Sequence, residues 1–210
     1  MKVLAAILIC CGLLGACTTS PVATQPDASI FADARFAPAS QPIRAADVFA
    51  LSSEMKAYLA GGIEGRILVR GRTELLVDAL YKKGELKLDY DSVLTRNAAQ
   101  AFAARSGNCL SLVIMTAAFA KELGIPVRYQ TVVTDELWGR NGGIDFVIDH
   151  INLTLGQRIG GAHWAGPFTE AVTIDFLPPA DLRGQQQHVL PDATVPAMSI
   201  NHRSAEAPAR

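Results

Sequence analysis

Between residues 109 and 123 the chain reads Cys-Leu-Ser-Leu-Val-Ile-Met-Thr-Ala-Ala-Phe-Ala-Lys-Glu-Leu, apolar on nearly every side and free of helix breakers. A helix of this kind has no face to offer to water, so the rest of the fold must be built around it. Ser106-Gly107-Asn108 supplies its start signal and Gly124 its C-terminal stop. Ile125-Pro126 then turns the chain into Val127 to Val133, whose β-branched and aromatic content predicts a strand. Further strands are expected over Phe146 to Leu155 and Val172 to Phe176, the first two joined by a Gly-rich loop from Asp135 to Asp145. A central helix followed by neighbouring strands is an α+β pattern with an antiparallel sheet.

Upstream, Ala46, Val48, Phe49, Met55 and Leu59 recur near helical spacing within Ile43 to Leu59, and Thr73 to Lys82 repeats the pattern after glycines at 61, 62 and 71. The alternation Leu86, Leu88, Tyr90 predicts a short extended piece, and the Ala-rich run Thr95 to Arg105 a helix. A chain of 210 residues, half of them apolar, fits one compact domain with appendages. A formal charge of −1 without a Lys/Arg run gives no electrostatic footprint for nucleic acid or for a polybasic membrane patch.

The ends read differently from the middle. Lys2 precedes the apolar run Val3 to Leu14, which is too short to span a bilayer as an ordinary helix and reads as a signal peptide over residues 1–16. Leu14-Gly15-Ala16-Cys17 looks like a lipobox, with Cys17 as the lipidated residue. Residues 17–42, rich in Ala, Pro, Ser, Thr and Gln, read as a flexible tether, so the expected membrane link is the N-terminal lipid. Thr18 is not an acidic retention residue, which by resemblance to sorted lipoproteins points to the outer membrane, facing the periplasm. The core domain is expected over 43–178 and a poorly ordered tail over 179–210.

With Cys10 and Cys11 in the signal and Cys17 acylated, Cys109 is the one thiol the mature chain would keep, without an intramolecular disulfide partner. It stands at the first turn of the buried helix, where unpaired N–H groups and the positive dipole end favour an anion. The same N–H groups suit an oxyanion formed when sulfur attacks a carbonyl. An inert buried cysteine is the bland alternative. In the strand around His150, Ile151, Leu153 and Leu155 share one face and His150 and Asn152 the other, a face expected to meet solvent or a cleft edge. Asp149 points away from His150 in a regular strand. Asp175, the single acid of Thr173-Ile174-Asp175-Phe176, would be costly to bury without a partner such as an imidazole N–H. His163 reads as a loop residue, and His188 and His202 as solvated tail. Trp138 with Gly139, Gly142 and Gly143 fits a hairpin loop or a flap over a cleft. No spacing points to zinc, to a phosphate loop or to a redox pair, and no cofactor is expected.

Arg105-Ser106-Gly107-Asn108-Cys109-Leu110-Ser111-Leu112, then Leu123 to Gln130, then Asp149-His150-Ile151-Asn152 and Thr173 to Phe176 together resemble the bacterial transglutaminase-like superfamily, a papain-like fold. His150 follows Cys109 by 41 residues (150 − 109), and Asp175 follows His150 by 25 (175 − 150). The resemblance implies a helix carrying the cysteine packed on an antiparallel sheet, with Cys109 as nucleophile, His150 as base and acid, and Asp175 as orienter. It implies acyl transfer on a peptide or protein substrate through a thioester, with water or an amine as acceptor. The other class of function is a non-catalytic envelope lipoprotein using the same fold to bind a peptide or an envelope protein partner. Members that resemble this chain often continue into tetratricopeptide repeats, and Met198 to Ala207 looks like the beginning of one.

Overall fold

The computed structural model describes residues 43–63, 71–81, 86–141, 144–156, 171–177 and 185–206. The segments expected as signal peptide and tether, with Cys17, His163 and the Gly142-Gly143 pair, lie outside the described residues.

The expected central helix is α5 (Cys109–Glu122), and its residues from Cys109 to Ala120 are all buried. Fully burying a Leu, Ile, Phe or Met side chain stabilises by roughly 1.5–3 kcal/mol, so Leu110, Ile114, Met115 and Phe119 make this helix the main source of core energy. Its end is set by Gly124, whose φ of +66° suits glycine, with Ile125 N–H donating to Ala120 O at 2.8 Å.

Ahead of it, the single helix expected over Ile43 to Leu59 is divided. α1 (Ala45–Val48) ends at Phe49, and α2 (Ser53–Tyr58) restarts because Ser52 Oγ accepts the Met55 N–H at 3.3 Å, then runs into a π-helical turn at Leu59–Ile63. α3 (Arg72–Tyr81) follows, then β1 (Asp89–Tyr90) and α4 (Ala98–Ala104). A reciprocal capping box between Asn97 and Gln100 starts α4. Arg105 closes it in the left-handed region (φ 54°), its guanidinium 4.1 Å from the Phe102 ring centroid, and sends the chain into β2 (Ser106–Gly107). Tyr58, Phe102 and Phe119 pack as a tilted aromatic trio that locks α2 and α4 onto α5.

The antiparallel sheet has the order β5-β4-β3-β6. β3 (Val127–Asn141) and β4 (Ile144–Leu155) form a hairpin longer than expected, reaching through the stretch predicted as a Gly-rich loop. Trp138 and Gly139, read as part of a hairpin loop or a flap, are instead backbone-paired with Val147 and Phe146 as strand. Its regularity breaks once: between Val132 and Leu137, β3 advances five residues while β4 advances two. β5 (Val172–Ile174) pairs with β4 and stops two residues before the expected Phe176.

The tail expected after Pro179 is structured over two segments. β6 (Gln187–Leu190) pairs with β3 from Tyr129 to Val132, and α6 (Thr194–Glu206) packs against α1 and α5 and buries Val195 and Ser199. Their composition is too polar for a separate core, and they are ordered by docking on an existing one. α5 lies against β4 and β3, with Ile151, Leu153, Leu155 and Tyr129 in the shared core.

Candidate functional site

The site forms where the first turn of α5 meets β4. Asn108 caps α5: its Oδ1 accepts the Ser111 N–H at 2.9 Å and the Ser111 hydroxyl at 2.7 Å. Ser111 Oγ in turn accepts the Arg96 N–H at 2.8 Å, and Asn108 Nδ2 donates to Thr95 Oγ1 at 2.9 Å. The Thr95 N–H is held by both carboxylate oxygens of Glu206, each at 2.9 Å, so α6 braces the loop that braces the cap. Gly107 is required by space, since a Cβ there would meet the Ser111 Cβ at 2.6 Å. These constraints fix the backbone from which Cys109, a buried free thiol, projects.

The structure brings Cys109, His150 and Asp175 together. His150 Nε2 lies 2.8 Å from Asp175 Oδ1, and the imidazole is close enough to the Cys109 thiol for the two to interact electrostatically. With Nε2 engaged by the carboxylate, Nδ1 is the ring nitrogen left for the sulfur. Asp175 is held by two more donors, the Leu177 N–H on Oδ1 at 2.9 Å and Asn152 Nδ2 on Oδ2 at 2.9 Å. Its backbone carbonyl accepts the Tyr81 hydroxyl at 2.9 Å, and the Tyr81 ring stacks on Phe176. Tyr90, on β1, is paired in register with Gly107, two residues before Cys109.

Burial opposes a charge on His150, but hydrogen bonds to Asp175 and Cys109, reinforced by their charges, outweigh it and raise the imidazole pKa to about 9. Burial likewise pushes Asp175 up, and the donors from His150, Leu177 and Asn152 more than reverse this, so its carboxyl lies below the usual carboxylate value. At neutral pH the pair is therefore an imidazolium and a carboxylate. An imidazolium beside a thiol at a helix N-terminus is an arrangement able to activate sulfur and to return a proton to a leaving group.

Of the two surroundings expected for this face, solvent or a cleft edge, the first is overturned. The His150–Asn152 face of β4 does not meet solvent: His150 is 4 % exposed and Asn152 1 %. Polar partners across the strands make burial affordable, since Thr154 Oγ1 continues the ladder to Gln130 Oε1 at 2.9 Å and to Thr173 Oγ1 at 3.1 Å. Asn152 was legible as a neighbour of His150 by strand alternation. Tyr81, Thr95 and Glu206 carry no local signal, because each acts on a residue far away in the chain. His202, expected in a solvated tail, sits on α6 with Nδ1 3.4 Å from Thr95 Oγ1, whereas His188 is exposed on β6. Among the described residues no three His, Cys, Asp or Glu side chains are grouped to hold a metal ion.

Comparison with known proteins gives one match. A family model described as the Transglutaminase-like superfamily covers residues 70–189, more than half of the chain, and includes Cys109, His150 and Asp175. Searches of curated proteins and of solved structures each return no match.

Proposed function

The chain belongs to the transglutaminase-like superfamily, and from that premise we propose that it is a cysteine-nucleophile enzyme acting on peptide or amide bonds through a thioester. The observation that carries this reading is the His150–Asp175 hydrogen bond at 2.8 Å, with the imidazole interacting with Cys109 at the start of α5. With its proton held on the His150 imidazolium, the sulfur attacks the acyl carbon, pushing an electron pair onto the carbonyl oxygen. As the carbonyl re-forms, the C–N bond breaks and the imidazolium gives its proton to the departing amine. Water or an amine then attacks the thioester, His150 accepts that proton, and Cys109 leaves. Asp175 keeps the ring in the working orientation throughout. Water is the proposed acceptor.

The activity is proposed to sit in the cell envelope, tethered by lipid on Cys17 at the outer membrane and facing peptide or protein substrates in the periplasm. The lipobox-like Leu14-Gly15-Ala16-Cys17 supports this, and incorporation of labelled fatty acid into wild type but not into Cys17→Ala tests it. The activity is tested by comparing wild type with Cys109→Ala for release of ammonia or amines from peptides, murein peptides and glutamine-containing proteins. Cys109-dependent release is expected. Specific capture of an envelope component with no turnover would favour a binding module instead.

A further inference from the structure

β5 brings Asp175 to the site without fixing it there. The pairing of β5 with β4 ends at Ile174 opposite Leu153, so Asp175 stands one residue past the last rung. The Leu177 N–H on Oδ1 shapes the segment locally but moves with it. His150 and Asn152 engage the carboxylate oxygens and leave the backbone behind them to other ties. Such a tie matters, because a small swing of the segment turns the carboxylate off the line of its hydrogen bonds, which weaken steeply below about 120°.

Among the described residues, the tie to this backbone that comes from outside the sheet is Tyr81. As the last residue of α3 it donates its hydroxyl to Asp175 O at 2.9 Å, across 94 positions of sequence. Its ring stacks on Phe176, the centroids 6.4 Å apart and the planes 21° from parallel. The two contacts fall on consecutive residues, so together they restrain both the place of the segment and its rotation. α3 is a firm base for such a grip: Leu75, Leu76, Ala79 and Leu80 lie in the core, and Ala79 O accepts the Leu86 N–H at 3.2 Å. Yet Tyr81 itself is 54 % exposed. A phenol so placed could turn to water at little cost, so its hydrogen bond adds little to net stability. What it adds is position.

We propose that Tyr81 is a positioning residue of this site, gripping the backbone at Asp175 and Phe176 from α3 so that the Asp175 carboxylate stays in line with the His150 ring. Tyr81 touches no reacting atom and acts through the acid alone. The hydrogen bond to Asp175 is a main contribution lifting the imidazole against the opposing effect of its burial. A carboxylate on a slack segment gives back part of that gain, and the imidazole then sheds its proton at lower pH. The ring also turns more freely, and a base whose orientation wanders is in place for less of the time.

The role of Tyr81 in turnover rests on the acyl-transfer reading, and the two fail differently. Tyr81→Phe keeps the ring that stacks on Phe176 and removes the hydroxyl. Followed by NMR, the His150 midpoint is expected to move down from about 9 toward 6.5, and acylation of Cys109 by p-nitrophenyl acetate to slow about tenfold. The melting temperature should stay within about 2 °C of wild type. A midpoint and a rate both equal to wild type would overturn the proposal. So would a lowered melting temperature with the midpoint unmoved, which would make Tyr81 a structural contact only. A wild type that p-nitrophenyl acetate does not acylate would remove the acyl-transfer reading, while a midpoint still lowered in Tyr81→Phe would uphold the grip on Asp175.

Discussion

From His150 to Leu155 β4 buries both of its faces, and it fills them with opposite chemistry. Ile151, Leu153 and Leu155 join the core beneath α5, while His150, Asn152 and Thr154 are as deeply buried among polar partners. The apolar face needs only shape and volume, because dispersion and the hydrophobic effect are non-directional. The polar face needs every donor matched, because each buried orphan costs about 1–3 kcal/mol. One strand thus carries a tolerant half that stabilises and an exacting half that builds the site.

The contrast is testable by damaging each half in turn. The largest effect is expected from His150→Gln, which keeps a donor for Asp175 but no base: acylation by p-nitrophenyl acetate should fall about 10³-fold, equivalent to about 4 kcal/mol of barrier, with little change in thermal melting. A large loss of melting temperature would make the imidazole a structural group. On the other face, Leu153→Ala should cost about 3 kcal/mol in urea unfolding while the folded fraction reacts at the wild-type rate. Asn152→Leu sits between the two, since it strips a donor from the Asp175 carboxylate. It should cost about 2 kcal/mol and also slow acylation roughly tenfold, as expected of a group orienting an acid–base pair. The smallest effect belongs to Glu206→Ala, which removes the acceptor of the buried Thr95 N–H. About 1 kcal/mol of stability should be lost, and a rate change beyond about threefold would show that α6 also tunes the nucleophile.

What could be read in advance follows the same division. The all-apolar run from Cys109 announced a buried helix, and Asn108 with Gly124 announced its limits, because these signals are local. The pairing of His150 with Asp175 was approachable from strand alternation and from the cost of burying a lone acid. The depth of that polar face was not, since it depends on Gln130, Thr173 and Asp175 meeting β4 across strands. Residues 187–206 looked unable to order themselves, and by themselves they lack the apolar surface. Pairing with β3 and docking on α1 and α5 supply what their composition omits. The extension of the hairpin through Trp138 and Gly139 was hidden for a related reason, because backbone pairing with β4 overrides glycine's weak strand preference.

The central claim is that Cys109, His150 and Asp175 act on one another as a unit. Its most direct measurement is an NMR titration of the His150 ring protons in wild type and in Asp175→Asn. The imidazole should carry its proton at neutral pH and lose it around pH 9, with the midpoint moving down when the carboxylate charge is removed. A wild-type midpoint near 6.5, unchanged in Asp175→Asn, would contradict the account.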